Sequence, residues 1–245
     1  MKKLTMALVA IALVLCMGQV VMAKVDITAG VKAGYEHRLY GDGDIKTHEI
    51  SAVSLGLSGN VYLINRLSLA LEGDVLFGKW IYSSHPTDSS MKSWVNIGLY
   101  ARYDVLVGDK YKLGVQAGAS YDVLNLTVNG LRYYNYTAVF IVPGLFGAVE
   151  LLPKLKLSAD VKIPIGTWYE GSYSPGKKSF FFKFFLYDTK LALTYEVMPN
   201  INVGVEAQIS NMNAHGVLWL WEEMSYDEYF TRPAWNVSLK LEYKF

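Results

Sequence analysis

The feature that most constrains this chain is the strict alternation of apolar and polar residues in its last nine positions. The apolar or aromatic set is Val237, Leu239, Leu241, Tyr243 and Phe245, and the polar residues between them are Ser238, Lys240, Glu242 and Lys244. Successive side chains of a β-strand point to opposite faces. The segment therefore predicts a strand with one apolar face and one polar face.

The same alternation recurs about every 20 residues along the chain, with apolar residues at odd-numbered positions. It is clearest from Val95 to Val105 and from Leu157 to Ile165, whereas the segment from Ala138 to Leu151 is apolar on both parities and contains Pro143. Hydrophobic residues make up 52% of the sequence, yet no apolar run after Ala23 is long enough for a membrane-spanning helix. In lipid the backbone must satisfy its own hydrogen bonds, and strands do so only in a closed barrel.

The connections predicted between these strands alternate in length. Short turns at 64–66, 108–110, 153–154 and 199–200 alternate with longer segments near 38–49, 79–92, 125–137, 168–179 and 211–233. The pattern predicts an all-β fold: a single closed antiparallel transmembrane β-barrel of about ten strands in an up-and-down meander. Barrels of eight or twelve strands remain as alternatives.

The C-terminal strand resembles the terminal strand of bacterial outer-membrane β-barrels, which usually end on Phe with Tyr two residues earlier. The resemblance implies that Tyr243 and Phe245 form the signal read by the outer-membrane assembly machinery. It also implies an integral protein of the bacterial outer membrane, in contact with lipid, with its short turns and both termini in the periplasm. Aromatic residues at odd positions near both ends of the strands predict two interfacial girdles.

The N-terminus has the pattern of a secretory signal peptide. Lys2 and Lys3 precede an apolar run from Met6 to Leu15, and the segment Val21-Met22-Ala23 has small residues where signal peptidase requires them. We expect residues 1–23 to be removed, leaving an outer-membrane barrel domain of residues 24–245. Loss of the two lysines leaves 21 basic against 22 acidic residues, so charge gives no reason to expect a nucleic-acid partner.

Even-numbered strand positions should line the interior of the barrel, and they carry twelve acidic and eight basic residues. Hairpin geometry predicts that Asp104 pairs with Lys112, Glu150 with Lys156, and Arg102 with Glu72. A barrel of about ten strands is narrow enough for such pairs to fill. Two functions stay open: a plugged scaffold, and a narrow, weakly cation-preferring porin for small solutes. The candidate interior charges are Glu72, Asp74, Arg102, Asp104, Lys112, Glu150, Lys156, Asp160, Lys162, Lys190 and Glu206.

The last long segment, 211–233, is the most distinctive candidate for a binding surface. Its aromatic residues lie among several carboxylates, a composition typical of binding anchors for an extracellular ligand or host surface. The alternative is that they cap the mouth of the barrel or rest in the outer leaflet. No cofactor is predicted. No metal site is predicted either, because the spacing of His37, His48, Asp42 and Asp44 matches no known ligand pattern. The candidate binding residues are Trp219, Trp221, Tyr226, Tyr229 and Phe230.

A hydrolase is a further alternative, because Glu72 and Asp74 form a carboxylate pair on one inner face. The chain resembles the ten-stranded omptin proteases in strand number and loop pattern, and that family carries an Asp pair facing an Asp/His pair at the rim. The catalytic set is not matched, since Asn213 stands where an Asp would precede His215. The sequence therefore favours a non-enzymatic barrel with a structural or surface-binding role such as adhesion.

Overall fold

The structure is a computed structural model that describes residues 26–42, 46–82, 85–128, 131–171, 179–182, 187–210 and 234–245. These residues form twelve β-strands, and every pairing between them is antiparallel. The strands are β1 (Ile27–Asp42), β2 (Lys46–Ile64), β3 (Leu67–Tyr82), β4 (His85–Val107), β5 (Tyr111–Val128), β6 (Leu131–Leu152), β7 (Leu155–Lys162), β8 (Gly166–Gly171), β9 (Ser179–Phe182), β10 (Asp188–Met198), β11 (Ile201–Ser210) and β12 (Ala234–Lys244). No helix in the described ranges is long and apolar enough to cross a membrane.

Ten strands close the barrel. Strands β1 to β7 pair in chain order, β7 pairs with β10, and β12 returns to β1. Strand β8 extends β7 along the same neighbour, β6, because the amides of Ile163 and Ile165 donate to the carbonyls of Pro143 and Ile141. Strand β9 pairs with β8 in the same way that β10 pairs with β7. The predicted ten-strand closed meander is confirmed.

The outer wall is an apolar belt made of odd-numbered residues. Leu239, midway along β12, is 71% exposed. On β5 the exposed rings of Tyr111 and Tyr121 are ten positions apart. That spacing is about 34 Å of strand, or about 26 Å along the membrane normal at a tilt of about 40°, close to the apolar band of membrane barrels. Hydrophobic side chains so exposed have no other partner in the described chain, and lipid is the environment that suits them.

Strand β6, whose facing the sequence left open, follows the same parity. Phe140, Val142 and Phe146 are buried inside the barrel, while Leu145 and Leu151 face outward. The inward apolar residues fill the interior on this side, which explains why both parities of the strand are apolar.

Three of the long connections predicted from the sequence are wrong. Strand β1 runs to Asp42 and β2 begins at Lys46, while β4 begins at His85 and β6 at Leu131. Most of 38–49, 79–92 and 125–137 is therefore paired strand. A strand crosses the hydrocarbon in about 9–11 residues, whereas β4 has 23 residues and β6 has 22. Beyond the lipid a strand needs no apolar face, so its sequence looks like that of a loop.

Four tight turns mark one end of the barrel, called the turn end here, together with the two termini of the described chain. Lys154 and Asn200 adopt positive φ angles of 71° and 70° directly after a proline, and Arg66 has a φ of 71°. Proline presets the first turn residue, and the second takes the left-handed conformation that a two-residue turn requires. Each turn follows a register shift in the preceding strand. The opposite end is called the loop end.

Candidate functional site

Glu72 lies at the centre of an ion-pair network that crosses the interior of the barrel. Its Oε1 accepts a hydrogen bond from Nη2 of Arg102 at 2.9 Å. Its Oε2 accepts hydrogen bonds from Nζ of Lys162 at 2.7 Å and Nζ of Lys190 at 2.6 Å. The three cations come from β4, β7 and β10, whereas Glu72 belongs to β3. One carboxylate therefore ties together strands on opposite walls.

Further contacts hold these cations in place. Arg102 also forms an ion pair with Asp160, and its Nε donates to Oε1 of Gln116 at 2.9 Å. The ammonium group of Lys162 lies 4.3 Å from the ring centroid of Tyr100, a cation–π geometry. Hydrogen bonds between ionised groups are the strong ones, especially away from water. We call Glu72, Arg102, Asp160, Lys162 and Lys190 the central network.

A second set of ion pairs links the two ends of the chain across the closing seam. Lys32 of β1 lies 3.0 Å from Asp74 of β3 and 3.0 Å from Glu206 of β11. Lys240 of β12 lies 3.6 Å from Glu206 and 2.9 Å from Glu242. We call these five residues the seam network, and it surrounds the central network on the β1–β12 side.

Two chambers lie within the described part of the barrel, one toward each end of the central network. The chamber toward the turn end has a volume of about 210 Å³, and the chamber toward the loop end about 40 Å³. Glu72, Asp74 and Lys190 line both of them, so their side chains form the partition. A cavity needs about 10–15 Å³ on this measure to hold one water molecule. The loop-end chamber can thus hold a few water molecules and the turn-end chamber considerably more.

The expected charge pairs are placed as follows. Arg102 contacts Glu72, and Glu150 lies directly opposite Lys156 in the register of β6 and β7. The expected opposition of Asp104 and Lys112 is wrong, because a register shift after Asp104 sets it opposite Gly114 instead. All the other candidate interior charges, Asp74, Asp160, Lys162, Lys190 and Glu206, are in the two networks described above.

Tyr62 bridges Asp104 and Lys112, the two residues that were expected to form an ion pair. Its hydroxyl donates to Oδ2 of Asp104 at 3.0 Å and accepts from Nζ of Lys112 at 2.8 Å. This contact of Tyr62 was not predicted from the sequence, although an aromatic residue at an even, inward position near a turn was a signal for it. The phenol replaces a direct ion pair with a neutral bridge.

Cations contact both carboxylates of the candidate catalytic pair. Glu72 contacts three cations and Asp74 contacts Lys32. The other residues weighed for catalysis and binding, from Asn213 to Phe230 and including all five candidate binding residues, lie outside the described residues.

The C-terminal signal residues lie on the outer wall at the turn end. Tyr243 is 43% exposed and Phe245 is 58% exposed. Their rings contact each other edge to face, with centroids 4.7 Å apart. The strand that carries them pairs with both β1 and β11. Their recognition by an assembly machinery stays a prediction.

The chain is similar in structure to solved outer-membrane proteins. The outer membrane protease OmpT from Escherichia coli matches with a TM-score of 0.55 and 17% identity, over 90% of this chain and 96% of that one. An outer membrane channel from Pseudomonas putida F1 matches with a TM-score of 0.46 and 11% identity, over 93% and 98% of the two chains. Neisserial surface protein A matches with a TM-score of 0.39 and 12% identity, over 90% and 97%.

The match to OmpT supports the fold and nothing finer. No protein-family model matches the chain, and no curated protein matches its sequence. The chain has the ten-strand fold of outer-membrane β-barrels, and its identity to each of these proteins is too low to transfer an activity.

Proposed function

We propose that this chain is an integral outer-membrane β-barrel with a closed interior, and that it acts through the residues at its loop end as a surface-binding protein. The observation that carries the proposal is the central network, in which Glu72 contacts cations from three other strands. A side-chain partition of this kind leaves no open bore for solutes. The surface that remains for function is the loop end, where scaffolds of this type usually place it.

The placement in the cell envelope belongs to the same proposal. Removal of residues 1–23 would release the chain outside the cytoplasm, and the assembly machinery would insert it through the C-terminal strand. The turn end would then face the periplasm, in keeping with the short periplasmic turns of membrane barrels. Outer-membrane lipid is the partner that the apolar belt requires, and the exposed leucine at position 239 lies at the middle of that belt.

A narrow porin is the second candidate, and the acidic excess of the interior is the observation in its favour. Glu36, Asp122 and Asp188 line the loop-end chamber in addition to the carboxylates of the partition. Conduction would require the central network to open, because its contacts span the interior from β3 to β10. A hydrolase has less support, since the carboxylates of Glu72 and Asp74 are engaged by cations.

Replacing residues 211–233 by a Gly/Ser linker is expected to abolish surface binding and leave the barrel intact. The physical reason is that this segment supplies the aromatic anchors, whereas the described barrel contacts are made without it. The measurement is the attachment of bacteria producing the protein to cultured epithelial cells. Heat-modifiable migration of the purified barrel on gels reports whether it is still folded.

The matched control replaces residues 43–45, another connection at the loop end, with glycine and serine. Attachment should be unchanged in the control and fall to the level of non-producing cells in the 211–233 variant. Equal attachment by the wild type and the 211–233 variant, at equal surface levels, would remove the support for a binding role of this segment.

A further inference from the structure

Two lysines of the turn-end chamber, Lys112 and Lys156, lie outside the central and seam networks. The central and seam networks contain five cations, Lys32, Arg102, Lys162, Lys190 and Lys240, and five carboxylates, Glu72, Asp74, Asp160, Glu206 and Glu242. Lys112 and Lys156 line the same chamber in addition. Neither ammonium group forms an ion pair with a carboxylate of the described residues.

Lys112 contacts a phenol and an aromatic ring, and its ammonium group touches no carboxylate of the described residues. Its Nζ contacts the hydroxyl of Tyr62 at 2.8 Å and lies 5.7 Å from the ring centroid of Phe146. The same ring faces the guanidinium of Arg102 at 5.3 Å. Asp104 is reached only through the phenol. The residues that line the chamber include six cations and five carboxylates, so the wall carries one excess positive charge that a bound anion would offset.

Space for such an anion comes from a row of small side chains. Lys112 pairs with Ala148, Ala148 with Ser158, and Ser158 with Ala192 in the registers of four consecutive strands of the ring. All four residues line the chamber. Lys112 belongs to β5 and Lys156 to β7, and two strand spacings, about 10 Å, separate these strands. The two lysines therefore approach the space above the small side chains from two sides.

We propose that the turn-end chamber binds a small oxyanion, a phosphate or a carboxylate, between Lys112 and Lys156. Lysine ammonium groups bind such ions as point charges, and the partly buried setting strengthens the attraction. The exposed side chain of Lys156 shows that the chamber communicates with solvent at this end. The site goes beyond the proposed surface-binding function, because it depends on no residue of the loop end.

The test is calorimetric titration of the refolded full chain, in zwitterionic micelles at constant ionic strength, with inorganic phosphate in one series and acetate in another. Saturable binding of one ion per barrel is expected for at least one of them, and the two series identify which oxyanion the site prefers. Lys112→Met and Lys156→Met should each weaken binding about tenfold or more, as expected for the loss of one charged partner.

Two further variants separate a built site from general charge. Lys110→Met removes a cation from the adjacent exposed turn and should leave the affinity unchanged. Ala192→Leu fills the chamber while keeping every charge, and it should abolish binding in a barrel that still shows heat-modifiable migration. The proposal is overturned by the absence of saturable binding, or by equal losses in the Lys110 and Lys112 variants. Neither result bears on attachment through residues 211–233, which is tested separately.

Discussion

Replacement of Glu72 by alanine is expected to lower the free energy of unfolding by about 3–5 kcal/mol, the usual cost of removing one partner from a buried ion pair. Lys162 is 1% exposed and Lys190 is 12% exposed, so neither ammonium group can turn to bulk water in the folded barrel. Lys190 forms no other ion pair with the described residues. Urea-induced unfolding in lipid vesicles, followed by tryptophan fluorescence, measures the effect.

The same variant should also open a path through the partition. Removal of the shared carboxylate leaves the cations of Arg102, Lys162 and Lys190 around the gap, and a constriction lined by cations selects anions. We therefore expect single-channel steps with anion preference from a barrel that is silent in its wild-type form.

Glu242→Ala is the matched control for both effects. Glu242 contacts one cation, Lys240 at 2.9 Å, and is part of the wall near the turn end. Its loss should cost less than the loss of Glu72, because Lys240 keeps Glu206 as a partner at 3.6 Å, and it should produce no conductance. Equal unfolding midpoints for Glu72→Ala and the wild type would show that the network does not hold the barrel together.

Replacement of Leu239 by arginine is expected to destabilise the barrel in lipid by about 2–4 kcal/mol. Leu239 lies midway between Trp235 and Tyr243 on β12, both of which face outward. An arginine there would place its charge in the middle of the hydrocarbon layer. The measurement is reversible unfolding in vesicles, compared with the same variant in detergent micelles, where the penalty should shrink.

Leu63→Arg provides the control for depth. Leu63 is 50% exposed and lies two residues before the turn at residues 65–66, so it lies at the edge of the belt. Its replacement should cost about 0–1 kcal/mol, because charges near the interface reach water. A penalty for Leu63→Arg as large as that for Leu239→Arg would contradict the placement of the belt.

The fold could be predicted from the sequence because lipid imposes a strict rule on each spanning strand. Where the strand crosses hydrocarbon, every second residue must be apolar, and Val95 to Val105 shows this rule plainly. The requirement for alternating apolar residues does not apply beyond the hydrocarbon layer. The extensions of β4 and β6 beyond the belt were therefore mistaken for loops, since their residues meet no requirement for alternation.

From the sequence alone, interior contacts could be predicted only between residues on the same hairpin or on adjacent strands. Glu150 opposite Lys156 and Arg102 near Glu72 follow from local register. The contacts of Glu72 with Lys190 and of Lys32 with Glu206 join residues 118 and 174 positions apart. Such contacts depend on how the barrel closes and how its strands are tilted, and alternation along a strand carries no information about either.

The central claim is that the central network closes the interior, and planar-bilayer conductance of the refolded wild-type protein tests it most directly. The sample should be shown to be folded by heat-modifiable migration, and Glu72→Ala should be recorded beside it under the same salt gradient. No conductance steps are expected from the wild type, whereas anion-preferring steps are expected from Glu72→Ala. Reproducible steps from the folded wild type, with or without ion preference, would contradict it.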